Sequence, residues 1–172
     1  MEYRKLTADD AEEYLQLRTR AIKENPLSFA LSPSEMKEKT IEQIREQLEQ
    51  GNKVDGYASF TVGVFDHNKL CGTGAFMQRP YEKMAHKGSL LGLYVAPEYQ
   101  GKGIAKGLIK EIIHQASQLK GMEQILLMVN NENEAAKKLY SSLGFTVYGV
   151  EQKAMKIDGK YYDESLMSYD LQ

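Results

Sequence analysis

Gln100-Gly101-Lys102-Gly103-Ile104-Ala105 holds the residue types whose spacing best suits chemistry: two glycines, a lysine and the beginning of an apolar stripe. From Ile104 the apolar residues fall at helical spacing, at Leu108, Ile112 and Ala116, with Ala105, Ile109 and Ile113 widening the stripe. A helix starting at the glycines presents unpaired N–H groups and the positive end of its dipole. Glycine lets the backbone come close to a bulky anion. The chemistry on offer is therefore anion binding, phosphate foremost. The spacing is neither the eight-residue phosphate loop nor G-x-G-x-x-G. A tight strand-to-helix turn without a ligand remains an equal alternative on spacing alone. Lys102, Lys106 and Lys110 are placed either to offset anionic charge or simply to solvate the surface.

Several elements must hold this loop. Leu90, Leu91, Leu93, Tyr94 and Val95 form an apolar run too short for a helix, which suits a central strand covered on both faces and ended by Pro97. Gly92 inside it marks a bulge or a close approach. Gln124–Val129 reads as the next strand, parallel to the first through a helical crossover closed by Gly121. Asn131-x-x-Glu134 can cap a helix with the inner stripe Ala135, Ala136, Leu139, Tyr140 and Leu143, which Gly144 ends. Upstream, a strand at Glu2–Leu6 precedes a helix capped by Thr7 or Asp9 and stopped at Asn25-Pro26. Ser32-Pro33-Ser34-Glu35 is a capping box opening one helix through Met36, Ile41, Ile44 and Leu48 to Gly51. Tyr57–Phe65 and Lys69–Met77 pair about Asp66-His67-Asn68, with Gly63, Gly72 and Gly74 as bulge candidates. Phe145–Val150 is a strand, and Asp158-Gly159 turns a terminal hairpin.

The 172 residues are 42% hydrophobic and 27% charged, which suits one domain spanning 1–172. A net charge of −2 gives no basic footprint for nucleic acid. The single cysteine, Cys71, excludes an intramolecular disulfide and fits a reducing compartment. No apolar run approaches the ~20 residues of a membrane span, and no signal core follows Met1, so the expected location is cytoplasmic. No Cys, His and acid constellation points to a covalent intermediate, and no metal site is expected.

Gln100-x-x-Gly103-x-Ala105 resembles the Arg/Gln-x-x-Gly-x-Gly/Ala signature of the GNAT superfamily of N-acetyltransferases, as does its lead-in Leu93-Tyr94-Val95-Ala96-Pro97-Glu98-Tyr99. Asn133-Glu134-Ala135-Ala136-Lys137-Lys138-Leu139-Tyr140-Ser141-Ser142-Leu143-Gly144-Phe145 resembles that family's Asn-x-x-Ala-x-x-Leu-Tyr-x-x-x-Gly-Phe block. The resemblance implies an α/β fold: a mixed, mostly antiparallel sheet of about seven strands, helices on both faces and a splayed central parallel pair. It implies acetyl-CoA as cosubstrate and N-acetylation of a primary amine by direct attack in a ternary complex. Leu93, Tyr94, Val95, Gln100, Gly101, Lys102, Gly103, Ile104, Ala105, Lys106, Asn133, Ala136 and Tyr140 would then bind the coenzyme, the pantetheine arm pairing with Leu93 and Val95 main chain. Asn133 is equally a helix cap.

Acetyl transfer needs a neutral amine, although a lysine-type amine has a pKa of ~10.4. It also needs donors for the tetrahedral oxygen, which the Leu93–Val95 backbone would supply, and a proton for a thiolate of pKa ~8.5. Tyr140 stands at the family's general-acid position; the competing role is a packed aromatic. Many relatives carry a carboxylate base on the central strand, but this chain has Ser89, Leu90 and Leu91 there. Glu82, His86, a water chain, or an amine that enters already deprotonated are the open substitutes. The Pro26–Pro33 stretch is either a substrate loop or a plain connection, and Tyr161, Tyr162, Asp163 and Met167 either line the acceptor site or pack. The acceptor is a small-molecule or peptide amine. A protein N-terminus or lysine, and an acyl-CoA sensor without turnover, are the alternatives. Homodimers are common in this family and are one assembly open to this chain.

Overall fold

Seven strands form one sheet in the order β1-β2-β3-β4-β5-β7-β6. The computed structural model describes residues 1–50 and 56–171. The strands are β1 (Glu2–Lys5), β2 (Ser59–Asp66), β3 (Lys69–Gln78), β4 (Lys87–Val95), β5 (Gln124–Asn130), β6 (Thr146–Ile157) and β7 (Lys160–Asp170). The helices are α1 (Ala11–Glu24), α2 (Pro33–Lys37), α3 (Ile41–Gln50), α4 (Ile104–Ser117) and α5 (Glu134–Ser141). Alternation along the strands feeds two cores. Val62, Val64, Leu90, Ile125 and Leu127 pack with the buried stripe of α4 and with Tyr140. Phe65, Leu70 and Tyr94 pack instead with Tyr14, Leu17 and Ile22 of α1, Met36 of α2, and Ile44 and Leu48 of α3. Each fully buried aliphatic side chain contributes on the order of 1.5–3 kcal/mol. Among the described residues no helix is long and apolar enough to cross a membrane.

The expected mixed sheet with a splayed parallel pair is what forms. β4 and β5 are parallel, yet they pair only at Lys87↔Gln124, Gly88↔Ile125 and Ser89↔Leu126, and then part. A bulge in β4 accompanies the parting: its register against β3 shifts between Ala75↔Leu91 and Thr73↔Tyr94. Gly92 sits in that bulge at φ +60°, and a Cβ there would lie 2.5 Å from the Arg18 guanidinium. Arg18 in turn donates to the Gly92 carbonyl at 3.4 Å and stacks over Phe29 at 4.5 Å. Helix α1 thus props the bulge open.

Several local expectations are corrected. The helix expected from Ser32 onward is two helices. Thr40 opens α3 with its own box: Gln43 N–H donates to Thr40 Oγ1 and Thr40 N–H to Gln43 Oε1. The expected stop at Gly51 lies outside the described residues. Helix α4 ends at Ser117; Gly121, at φ +77°, belongs to the turn before β5. Asn131 does not cap α5, because its side chain accepts from Ser165 Oγ at 2.7 Å; Asn133 is the cap. Leu91 is 42% exposed, so β4 is not covered on both faces along its length. Gly63 lies in a regular part of the ladder, whereas the β2–β3 shift falls opposite Cys71. The strand expected at Phe145–Val150 and the first arm of the expected terminal hairpin are one irregular strand, β6, with Lys153 at φ +56°.

Candidate active site

Where β4 and β5 part, a cleft of about 530 Å³ opens. One wall is Leu93, Tyr94 and Val95 of β4, together with Tyr99. The floor is Gln100, Gly101, Gly103 and the first turn of α4: Ile104, Ala105 and Lys106. The second wall is Asn133, Ala135, Ala136 and Leu139 of α5, and Asn25, Ser28 and Phe29 reach the cleft from the segment after α1. Gly101 and Gly103 have φ of +75° and +76°, where a side chain is strained, and nothing lies within 4 Å of a Cβ on either. The glycines are therefore required by backbone conformation and leave open space in front of them. The amides of Ile104, Ala105 and Lys106 have no partner within the helix. Gln100 Nε2 donates to the Val95 carbonyl at 2.9 Å, tying the loop to the end of β4.

Lys102 is not on the cleft wall: its Nζ donates to the Glu98 carbonyl at 3.3 Å and lies 5.4 Å from the Tyr99 ring. Asn133 Oδ1 accepts from Ala136 N–H at 3.0 Å, which leaves its Nδ2 for another partner. Tyr140 also stands off the wall. It packs edge-on to Phe145 at 5.8 Å and is 7% exposed. Burial alone pushes its phenol up to about 12. Met167 is fully buried in the core and so lines no acceptor surface. Asp163 accepts from Lys153 N–H at 2.8 Å, and Tyr161 is exposed between Lys153 and Lys156. Glu82 and His86 precede β4, and the His86 carbonyl accepts from Glu123 and Gln124 N–H. Neither is among the residues lining the cleft.

An ion-pair chain frames the cleft and was not legible in the sequence. Tyr94 donates its hydroxyl hydrogen to Glu24 at 2.7 Å, Arg20 Nε donates to Glu24 at 2.8 Å, and Arg20 grips Glu98 with two bonds of 2.8 and 2.9 Å. Arg20 holds the Glu98 carboxyl at about 2 and, with Tyr94, lowers Glu24. Burial, then Glu24, pushes the Tyr94 phenol up. Both carboxyls are depressed in the fold, so their contribution is complete above the ordinary value of 4.5 and is lost as pH falls toward about 2. All of these groups are exposed to solvent screening except Tyr94, so the effect is modest. Arg20→Ala should therefore flatten the fall of Tm between pH 4.5 and 2 relative to wild type, measured by thermal melts across that window; parallel curves would show that the chain contributes nothing.

A second hollow of about 450 Å³ adjoins the first, sharing Asn25, Ser28 and Asn133 with it and adding Glu24, Pro26, Leu27, Asn130 and Glu132. The segment after α1 therefore lines both. Among the described residues no group of three or more metal-ligating side chains comes together.

Comparison with known proteins agrees with this architecture. Residues 20–145 match the family model described as Acetyltransferase (GNAT) family. A spermidine N(1)-acetyltransferase of Escherichia coli K12 is 33% identical over 76 residues, covering 44% of this chain and 41% of that protein. This chain spans less than half the length of the first curated relatives it matches. Among solved structures, a GNAT-family acetyltransferase of Streptococcus pneumoniae superposes with a TM-score of 0.87 at 23% identity, over 99% of each chain. An acetyltransferase of Salmonella typhimurium, solved with its cofactor acetyl-CoA, superposes with a TM-score of 0.82 at 20% identity, over 100% of this chain and 94% of that one.

Proposed function

The chain belongs to the Acetyltransferase (GNAT) family, and from that premise we propose that it transfers the acetyl group of acetyl-CoA to a primary amine by direct attack in a ternary complex. The observation that carries this reading is the parting of β4 and β5 beyond Ser89 and Leu126, directly beside the left-handed glycines before α4. In this reading the amides from Gly101 to Lys106 hold the coenzyme's diphosphate, the positive end of α4 favouring the negative charge. The main chain of Leu93 and Val95, without a strand partner on the β5 side, pairs with the amides of the pantetheine arm. The free Nδ2 of Asn133 contributes a further donor from α5.

The amine nitrogen bonds to the acetyl carbon, the carbonyl oxygen takes negative charge, and the carbon–sulfur bond then breaks. A β4 backbone N–H stabilises that oxygen. The nitrogen loses its proton to solvent, and the sulfur departs as a thiolate that takes its proton from solvent. Tyr140 is our candidate donor to that sulfur. A phenol at about 12 keeps its proton at neutral pH. Handing it outright to a thiolate of pKa ~8.5 runs uphill by roughly 5 kcal/mol. Tyr140 therefore acts as a hydrogen-bond donor that steadies the thiolate.

The direct test is thiol release from acetyl-CoA across a panel of primary amines, with coenzyme binding measured by calorimetry. Turnover with an amine supports the transferase. Binding without release on any amine would favour an acyl-CoA sensor, and absence of binding would sink both.

A further inference from the structure

Asn130, the last residue of β5, is 5% exposed and lines the second hollow. Its Oδ1 accepts from Glu132 N–H at 2.8 Å, which fixes the carboxamide's orientation because the amide end could not accept that bond. Its Nδ2 is buried without any hydrogen-bond partner among the described residues. The cross-strand neighbour Glu164 does not take the bond. A buried amide donor left unpaired is unfavourable, and few survive in native proteins without a reason. The 25–28 segment packs near β5 and, with Asn130, lines the hollow that shares Asn25, Ser28 and Asn133 with the cleft. What the site lacks is an oxygen.

A second observation bears on the same acceptor. None of the residues lining the main cleft is an acid or a histidine. In the adjoining hollow, Glu24 is already bonded to Arg20 and Tyr94, and Glu132 is exposed. With no positioned base, the amine must arrive neutral. At pH 7.5 about a quarter of an α-amine of pKa ~8 is neutral, against about 0.1% of an amine of pKa ~10.4.

We propose that the acceptor is an α-amine adjacent to a carbonyl, as in an amino-acid amide or a peptide N-terminus, and that Asn130 Nδ2 binds the carbonyl oxygen. This rests on the acetyltransferase reading above. A polyamine fits poorly: its other nitrogens are protonated and offer only donors to a donor. Asn130 is thus a specificity residue, and the lining of the hollow must shift to admit the oxygen.

The test compares thiol release with L-alaninamide, an alanyl peptide, isopropylamine and spermidine, using wild type, Asn130→Asp and Asn130→Leu. Asn130→Asp keeps the oxygen that accepts from Glu132 N–H and replaces the donor with a second, negatively charged oxygen, whereas Asn130→Leu removes the donor without adding charge. Wild type should favour alaninamide or the peptide over spermidine by about 100-fold in kcat/KM. The ratio of alaninamide to isopropylamine should fall about 10- to 100-fold in both variants, with the KM for acetyl-CoA held. A faster peptide would assign the oxygen to a polypeptide terminus, and a faster alaninamide to a small molecule; either supports the proposal. Turnover of spermidine as well as alaninamide, or an unchanged ratio in Asn130→Asp, would overturn this inference and leave the acetyltransferase standing. No release from any amine would overturn both.

Discussion

Gly103→Val is expected to weaken acetyl-CoA binding by at least about 100-fold. Position 103 has φ +76°, and an L side chain there costs on the order of 1–2 kcal/mol. That strain alone would lower Tm by several degrees in a chain of this size. The binding loss has a different origin. Nothing of the protein lies within 4 Å of a Cβ at this position, so the new side chain projects into open space bordering the cleft floor. There it would hold the diphosphate off the first-turn amides of α4. Gly121→Val separates the two effects. Gly121 has φ +77°, also with nothing within 4 Å, but it lies in the turn before β5 and off the cleft. The two variants should lose similar Tm, while only Gly103→Val loses coenzyme affinity by calorimetry. Equal affinities in the two would remove the glycine loop from the binding site.

Tyr140→Phe should lower kcat by about 100-fold, the usual loss when one positioned hydrogen-bond donor to developing negative charge is removed. The ring stays, so the edge-on packing against Phe145 is retained. Neither a hydrogen bond nor a charge contributes to the phenol's raised value, so Tm should not fall. The KM for acetyl-CoA should stay within about threefold, because the interaction is made as the sulfur departs and not before. The alkaline limb of the wild-type rate should also show no ionisation assignable to this phenol below about 12. An unchanged kcat would return Tyr140 to the role of a packed aromatic.

What the sequence revealed and what it hid have separate physical causes. The β4–loop–α4 unit was legible because its signals are local: an apolar run, Pro97, two glycines and a helical stripe within about thirty residues. The break between α2 and α3 was legible in principle, since Thr40 and Gln43 carry a capping box, but the continuous apolar spacing across it masked the signal. Assigning the α5 cap to Asn131 failed because both Asn131 and Asn133 precede the stripe; only the fold decides which side chain Ser165 claims. The Arg20–Glu98 pair spans 78 positions, and no periodicity links such residues. The unpaired Nδ2 of Asn130 was out of reach for a stronger reason. A missing partner is a property of the packed structure, and neither residue type nor spacing encodes it.

Past Ser89, the flank of β4 facing β5 is a raw edge in the middle of the sheet instead of at its rim. Raw edges ordinarily invite strands from neighbouring molecules. This one lies between α5 and the 25–29 segment, so a foreign strand with its own sheet behind it is barred, while a slender linear molecule bearing amides is admitted. Slow hydrogen–deuterium exchange at Leu93 and Val95 would then be a property of the filled enzyme only, and the sheet would be complete only while its coenzyme is bound.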